Sequence, residues 1–207
     1  NFQQMNKFFN THGYNKLIGK KFFTNKVLPK NSWSGNVNDS VLFDNAIKMV
    51  NEHMKKKEFF NITILTTDTH YPGFIDPNCP YKDLDDKKIH ISIYCTSNSL
   101  SNLIQKTYLK YPEKISVILI GDHLNPKNQM NINFDRFIFA KILSKKDYII
   151  KRDKMTHYDL YPSILQLINI DYGNNLGLGK SIFNKIENTE YEEFLNDLNI
   201  NIVKKSK

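Results

Sequence analysis

The chain has 207 residues, of which 40% are hydrophobic and 24% charged, and it carries a formal net charge of +8. A chain of this length buries roughly 70% of the surface its unfolded form exposes, so it needs no metal or disulfide merely to fold as one domain. No run approaches the ~18 consecutive apolar residues of a membrane-spanning helix, and the composition excludes collagen, a coiled coil, a disordered tail and a cysteine-dense mini-protein.

The positive balance favours anionic partners such as phosphate-rich substrates or lipid head groups. A second cause fits equally: Lys far outnumbers Arg, which occurs only at Arg136 and Arg152, and Asn and Ile abound, as a base-composition bias would produce. No nucleic-acid partner is expected, because no basic face interleaved with aromatics stands out. Residues Asn1–Met5 lack the grading of a signal peptide, and the absence of an initiating Met predicts a natural N-terminus upstream.

The first 35 residues read as irregular and partly helical, broken at Gly13 and Gly19. A helix is predicted from Asp39 to about Lys57, capped by Asp39 or Ser40, with Leu42, Ala46 and Val50 at four-residue spacing. Phe59 to Leu65 reads as a buried strand ending in the polar cluster Thr66-Thr67-Asp68-Thr69-His70, and Pro72-Gly73 stops it. A second helix is expected from about Asp86 to Tyr111. Ile115 to Ile120 is the clearest strand, followed by Gly121-Asp122-His123; Phe137 to Leu143 reads as another, with Tyr148-Ile149-Ile150 as a partner. Helices at about Thr156–Ile168 and Glu190–Leu198 close the chain. Strands alternating with helices predict an α/β layered sheet, and near-continuous apolar strands predict parallel pairing covered on both faces.

Ligands in open α/β sheets sit beyond the carboxyl ends of the strands, where this sequence has Asp68 and His70 on one strand and Asp122 and His123 on another. Asp122 and His123 offer an oxygen and an imidazole nitrogen, a pair that Zn²⁺ or Mn²⁺ accepts. The competing role is a turn cap for Asp122 and a surface position for His123. His70 suits donation to a substrate phosphate or general-acid work, against a backbone-bonded loop histidine; Asp68 and Thr69 read as turn formers. Near His157, capping explains Asp159 better than a metal does, and Gly173, Gly177 and Gly179 read as a structural turn. Trp33 suits either the core or a platform for a sugar ring. Cys79 and Cys95 can pair if the chain resides outside the cytosol. No nucleophile elbow or activated Ser, Thr or Cys is present, so the chain reads as part of an active site.

In order, Phe8-Phe9 with His12-Gly13-Tyr14, Trp33 with Asp39, Thr66-Thr67-Asp68-Thr69-His70 with Gly73-Phe74-Ile75 and Cys79, Cys95, Gly121-Asp122-His123-Leu124, Asp159 with Pro162-Ser163-Ile164-Leu165, and Asn175-Leu176-Gly177-Leu178-Gly179-Lys180-Ser181 before Ile182-Phe183 form a pattern. It resembles the C-terminal part of the extracytoplasmic domain of bacterial phosphoglycerol transferases. These are a sulfatase-like branch of the alkaline phosphatase superfamily that includes lipoteichoic acid synthases and glucan-modifying enzymes.

The resemblance covers nearly the whole chain, so 1–207 is expected to form the C-terminal part of one such catalytic domain, with a predominantly parallel sheet flanked by helices. It implies transfer of phosphoglycerol from phosphatidylglycerol, or a related phospholipid, to a cell-envelope glycan through a covalent threonine intermediate. It also implies a divalent metal ion, Mn or Zn with Mg as a further candidate. Asp122 and His123 match metal ligands, His70 matches the substrate-phosphate histidine, and Cys79 and Cys95 match a disulfide.

The nucleophilic threonine and an acidic ligand belong to the family's N-terminal half, without counterpart in 1–207, so the chain alone is expected to lack the nucleophile. A membrane anchor is expected from an upstream segment, placing the protein on the periplasmic side of the inner membrane. Departures occur at Gln3-Gln4-Met5, where relatives place a basic or aromatic contact to the phosphoglycerol group; Gln4 and Met5 do not supply that charge, Lys7 is the candidate, and the donor head group is left open. Another falls at Leu124-Asn125-Pro126-Lys127, which lacks the second histidine of some relatives. Phosphoethanolamine transfer, phosphodiester hydrolysis, or a non-catalytic glycan- or head-group-binding half-domain are the alternative expectations.

Overall fold

The computed structural model of the chain describes residues 4–23, 37–84, 87–124, 133, 136–145, 148–152, 154–173, 176–185, 190, 193 and 196. It divides into two units, Asn1–Leu143 and Ser144–Lys207.

The first unit opens with a short helix α1 (Met5–Thr11) and a 3-10 turn (Lys20–Phe23), matching the expected irregular and partly helical start. Helix α2 (Asp39–Lys56) falls almost where its periodicity predicts. Asn38, in extended conformation, is the residue at its start, so Asp39 is the first helical residue rather than the cap; the helix ends at Lys57, with φ +58°. His53, Lys55 and Lys56 lie in the last turn, where cations complement the helix dipole.

Helix α3 (Lys88–Lys106) is shorter than the predicted span to Tyr111. The helix ends at Thr107, which takes a non-helical conformation while its N–H and hydroxyl both donate to the Leu103 carbonyl, at 3.0 Å and 2.6 Å; Asp86 lies outside the described residues. Helices α2 and α3 pack through Phe43, Ala46 and Leu103, with Ile47, Leu100 and Ile64 against them. A second cluster joins Cys79, Ile91 and Cys95, with Ile75. Within it Cys79 and Cys95 form a disulfide, Cα–Cα 5.6 Å, as the resemblance implies.

Strand β1 (Val117–Ile120) pairs with β2 (Ala140–Leu143), Val117 opposite Leu143 and Ile120 opposite Ala140. The pairing is antiparallel, so the expected parallel arrangement is not what the described strands show, and β1 rather than Tyr148–Ile150 is the partner of 137–143. Side-chain pattern reveals a strand but not the direction of its neighbour, which explains the difference. Residues 59–65 do not form a ladder among the described residues. They keep a period-two alternation instead: Phe60, Ile62 and Ile64 are half-buried, while Phe59 and Leu65 are exposed.

In the second unit, α4 (His157–Leu167) begins with a capping box, the Asp159 carboxylate accepting from the Thr156 backbone N–H at 2.7 Å and from its hydroxyl at 3.1 Å. Asp159 therefore is a cap, as read. Pro162 inside the helix has no N–H to offer the Tyr158 carbonyl. Gly179 of the Leu176–Gly179 turn lies directly against that carbonyl: a Cβ at 179 would sit 1.9 Å from it. The glycine stretch is thus a structural turn seated on a helix start. The predicted C-terminal helix is helical at Glu190, Glu193 and Asn196, and its remaining residues lie outside the described ones.

Gly179→Ala is expected to lower unfolding stability by about 3 kcal/mol, the upper range for overpacking, because the clash is with backbone. A loss below about 0.5 kcal/mol in denaturant titration would contradict the close approach. Replacing both cysteines by Ser is expected to cost about 3 kcal/mol, as the bridge closes a loop with a sequence separation of 16. Peptide mapping without reductant that finds two free thiols would contradict the pairing.

Candidate active site

β1 continues one residue beyond its ladder: the Gly121 N–H donates to the Phe139 carbonyl at 2.9 Å. A side chain at 121 would press on Ile138, its Cβ 2.9 Å from that residue's Cγ2, so glycine lets β1 and the 137–139 stretch close at this point. The chain then turns, and Asp122 and His123 emerge together at the carboxyl end of β1.

Both side chains are largely solvent-facing, 74% exposed for Asp122 and 64% for His123. The His123 N–H donates to Asp122 Oδ1 at 2.9 Å, so Asp122 does cap its own turn. Its other oxygen, Oδ2, stands 3.4 Å from His123 Nε2. His123 Nδ1 is 2.8 Å from the Leu124 carbonyl, which can only accept, so the ring proton sits on Nδ1 and neutral His123 carries its lone pair on Nε2.

That tautomer is the one a metal-binding imidazole needs, fixed by a backbone carbonyl as such rings commonly are. The separation of 3.4 Å fits too, because two donors each about 2.1 Å from a tetrahedral ion stand roughly 3.4 Å apart. The cap and the ligand are therefore compatible roles of one residue. Among the described residues no third His, Cys, Asp or Glu joins them in a metal-binding group.

His70 projects from a different loop. Its Nδ1 lies 2.9 Å from the Tyr71 carbonyl, which can only accept, so the ring proton sits on Nδ1. Protonated, this ring offers an Nε2–H to a phosphoryl oxygen while Nδ1–H stays on the backbone. Trp33, the proposed sugar platform, lies outside the described residues.

Behind His70 the sequence reading missed a cluster. Asp39 and Asp68, read as a cap and a turn former, are 1% and 3% exposed. Each accepts from the other's backbone: Asp39 N–H donates to Asp68 Oδ2 at 2.8 Å, and Asp68 N–H donates to the Asp39 carboxylate at 3.3 Å. Asn38 Nδ2 adds bonds to both Asp68 oxygens, the Thr67 N–H donates to Asp39 Oδ1 at 2.8 Å, and the Thr96 hydroxyl of α3 donates to Asp39 Oδ2 at 3.0 Å.

Burial raises the pKa of both carboxyls above the ordinary range, and for Asp68 the neighbouring Asp39 charge adds to it, bringing it to about 7. A more distant contribution in the same direction comes from Asp76.

In the second unit Arg152, also missed, is buried against Asp159 at 3.5 Å, and its Nη2 donates to the Lys180 carbonyl. The Lys180 N–H donates to Asp159 Oδ1 at 2.9 Å, tying the glycine turn to α4. The planar guanidinium suits such a buried pairing better than a Lys would, and Arg152 is one of two Arg in a chain rich in Lys.

Over 132 residues the chain is 25% identical to phosphoglycerol transferase I of Xanthomonas axonopodis pv. citri (strain 306), covering 60% of this chain and 19% of that protein. It is 26% identical over 131 residues to phosphoglycerol transferase I of Xanthomonas campestris pv. campestris (strain B100), with the same coverage. The resemblance read from the motifs is borne out. The crystal structure of the lipoteichoic acid synthase LtaP from Listeria monocytogenes matches with a TM-score of 0.65 and 18% identity, over 88% of this chain and 50% of that one. That match shows an α/β fold of the sulfatase-like kind. No protein-family model matches the chain. The chain spans about a fifth of the length of these curated relatives and half of the solved one.

The raised Asp68 pKa has a consequence for stability. The folded state binds more protons than the unfolded between about pH 4 and pH 7, so stability should fall across that window as pH rises and level off above it. The drop is expected to be on the order of a few kcal/mol. Asp68→Asn, which keeps the shape without the titration, should flatten the slope in denaturant titrations from pH 4 to 8. An unchanged slope would contradict the assignment.

Proposed function

We propose that the chain is the metal- and phosphate-binding part of a phosphoglycerol transferase that acts outside the cytoplasmic membrane. In this reading it moves phosphoglycerol from phosphatidylglycerol, or a related phospholipid, to a cell-envelope glycan. The observation that carries the reading is the pairing of Asp122 Oδ2 and His123 Nε2 at 3.4 Å, with the imidazole proton held on Nδ1, beyond the end of β1. The likeness to the two phosphoglycerol transferases I, 25% and 26% identical, supports the substrate class. The disulfide supports an oxidising compartment, and the positive balance suits an anionic lipid head group.

A divalent ion, Mn or Zn with Mg as a further candidate, when bound supplies charge stabilisation at phosphoryl oxygens and acidifies a hydroxyl nucleophile. The residues of this chain do the rest of what is assigned to them. Asp122 and His123 hold two positions of the coordination sphere, and the Leu124 carbonyl keeps the His123 ring in the binding tautomer. His70, its Nδ1–H anchored on Tyr71, presents Nε2 to a phosphoryl oxygen and neutralises part of its charge when protonated. The nucleophilic threonine implied by the resemblance is not assigned to any residue of 1–207.

Transfer of phosphoethanolamine and simple diester hydrolysis use the same parts. A non-catalytic glycan- or head-group-binding module is the remaining alternative.

Calorimetric titration with Mn²⁺ and Zn²⁺ should show affinity lowered at least ~10-fold in Asp122→Ala and in His123→Ala; unchanged binding in both would overturn the site. Incubating the native full-length protein with head-group-labelled phosphatidylglycerol or phosphatidylethanolamine separates the activities. Label from the glycerol lipid appearing on protein and glycan supports the proposal, label from the ethanolamine lipid favours the alternative, and release to water alone indicates hydrolysis. Binding without turnover of either lipid would leave the module reading.

A further inference from the structure

Two buried carboxylates, Asp39 and Asp68, have no part in the chemistry proposed above. An uncharged Asn at either position would satisfy the same backbone N–H groups, whereas two like charges withdrawn from water oppose folding. Their hydrogen bonds join the start of α2 to the loop that bears His70, with one more from Thr96 of α3.

The first turn of α2 grips that loop at both ends. Asp39 receives the Thr67 and Asp68 N–H groups where the loop begins, and the Ser40 hydroxyl donates to Asp76 where it finishes. Between these points the loop closes on itself. The Phe74 N–H donates to the Asp68 carbonyl at 2.8 Å, Gly73 N–H to His70 carbonyl at 2.8 Å, and His70 N–H to Thr67 carbonyl at 3.1 Å. Gly73, at φ +97°, lies against the first turn of α3, where a Cβ would stand 2.5 Å from the Lys88 carbonyl. The Thr96 bond to Asp39 ties α3 to the same point. Between the buried Asp68 and Gly73 the loop offers Thr69, His70, Tyr71 and Pro72 to solvent.

We propose that Asp39 and Asp68 are positioning residues for His70: their mutual N–H···carboxylate clasp sets the loop so that His70 keeps its proton on Nδ1, against the Tyr71 carbonyl, and turns Nε2 toward the phosphate of a phosphodiester ligand. The proposal rests on the reading of His70 as a phosphate contact.

The test uses the full chain and the ¹⁵N signals of the His70 ring at a pH where the ring is neutral. In the parent protein the Nδ1-protonated tautomer should dominate. Asp68→Ala should shift the ring toward the averaged tautomers of a free histidine, and Asp68→Asn, which can still accept from the Asp39 N–H, should keep the parental signals. A folded Asp68→Ala protein with parental ring signals overturns the proposal. If Asp68→Ala does not fold, Thr96→Val decides, because it loosens Asp39 from the far side without touching the loop. A partial shift of the ring supports the proposal, and a lowered melting temperature with unmoved ring signals overturns it.

Titration with glycerol phosphate tests the underlying reading separately. Parent signals of His70 that do not respond defeat the phosphate assignment while leaving the clasp standing. A response that survives in Asp68→Asn and weakens about 10-fold or more in Asp68→Ala supports both.

Discussion

The mutual bonding of Asp39 and Asp68 is the constraint on which the first unit turns. A helix start leaves backbone N–H groups without intrahelical partners, and a tight loop leaves others. Here each set is satisfied by a carboxylate from the opposite segment, so α2 and the 67–76 loop fix one another. The apolar clusters alone are small: Phe43, Ala46 and Leu103 in one, Cys79, Ile91 and Cys95 in the other. Clasp and disulfide reach adjacent residues of α3, Thr96 bonding Asp39 and Cys95 holding Cys79, and together they bind the loop region to the helix pair.

The second unit solves the same problem with the same kind of group. Asp159, fully buried, satisfies the start of α4 and simultaneously accepts from Lys180, while Arg152 supplies the opposite charge beside it. Ser163 extends the arrangement, donating to the Asp159 carbonyl and accepting from the Ile182 N–H at 3.1 Å. In each unit a carboxylate of the first helical turn holds a loop, 67–76 in the first and the Leu176–Gly179 turn in the second. The difference is electrostatic: Asp159 has a cation beside it, whereas Asp68 faces another acid and is pushed toward protonation.

What could be read from the sequence follows from what each interaction leaves in the pattern. The apolar stripe Phe43, Ala46, Val50 repeats with the helical period, and α2 was legible almost to the residue. The capping box at Thr156 and Asp159 is a local spacing, and it too was legible. Strand pairing is not local. Ile115–Ile120 and Phe137–Leu143 announce themselves as strands, yet nothing in their alternation states that they run antiparallel to each other. Residues 59–65 show why composition misleads: FFNITIL has every strand-forming trait, but a strand also needs a partner, and among the described residues this segment has only its alternation. The clasp was illegible for another reason, since an Asp that caps and an Asp that is buried against a distant Asp look identical in sequence. Asp122 and His123 were legible as adjacent polar residues after a strand, whereas the tautomer of His123 depends on a backbone carbonyl that no sequence pattern displays.

The proposed function asks two loops of the first unit to serve one chemistry, with Asp122 and His123 after β1 proposed as metal ligands and His70 proposed as the phosphate contact. The most direct test is a crystal structure of the protein with Zn²⁺ and glycerol phosphate, read by anomalous scattering at the metal edge. The account predicts a peak about 2–2.2 Å from both Asp122 Oδ2 and His123 Nε2, with the phosphate between the ion and His70 Nε2. Metal bound elsewhere, or a phosphate on the ion with His70 turned away from it, would contradict it.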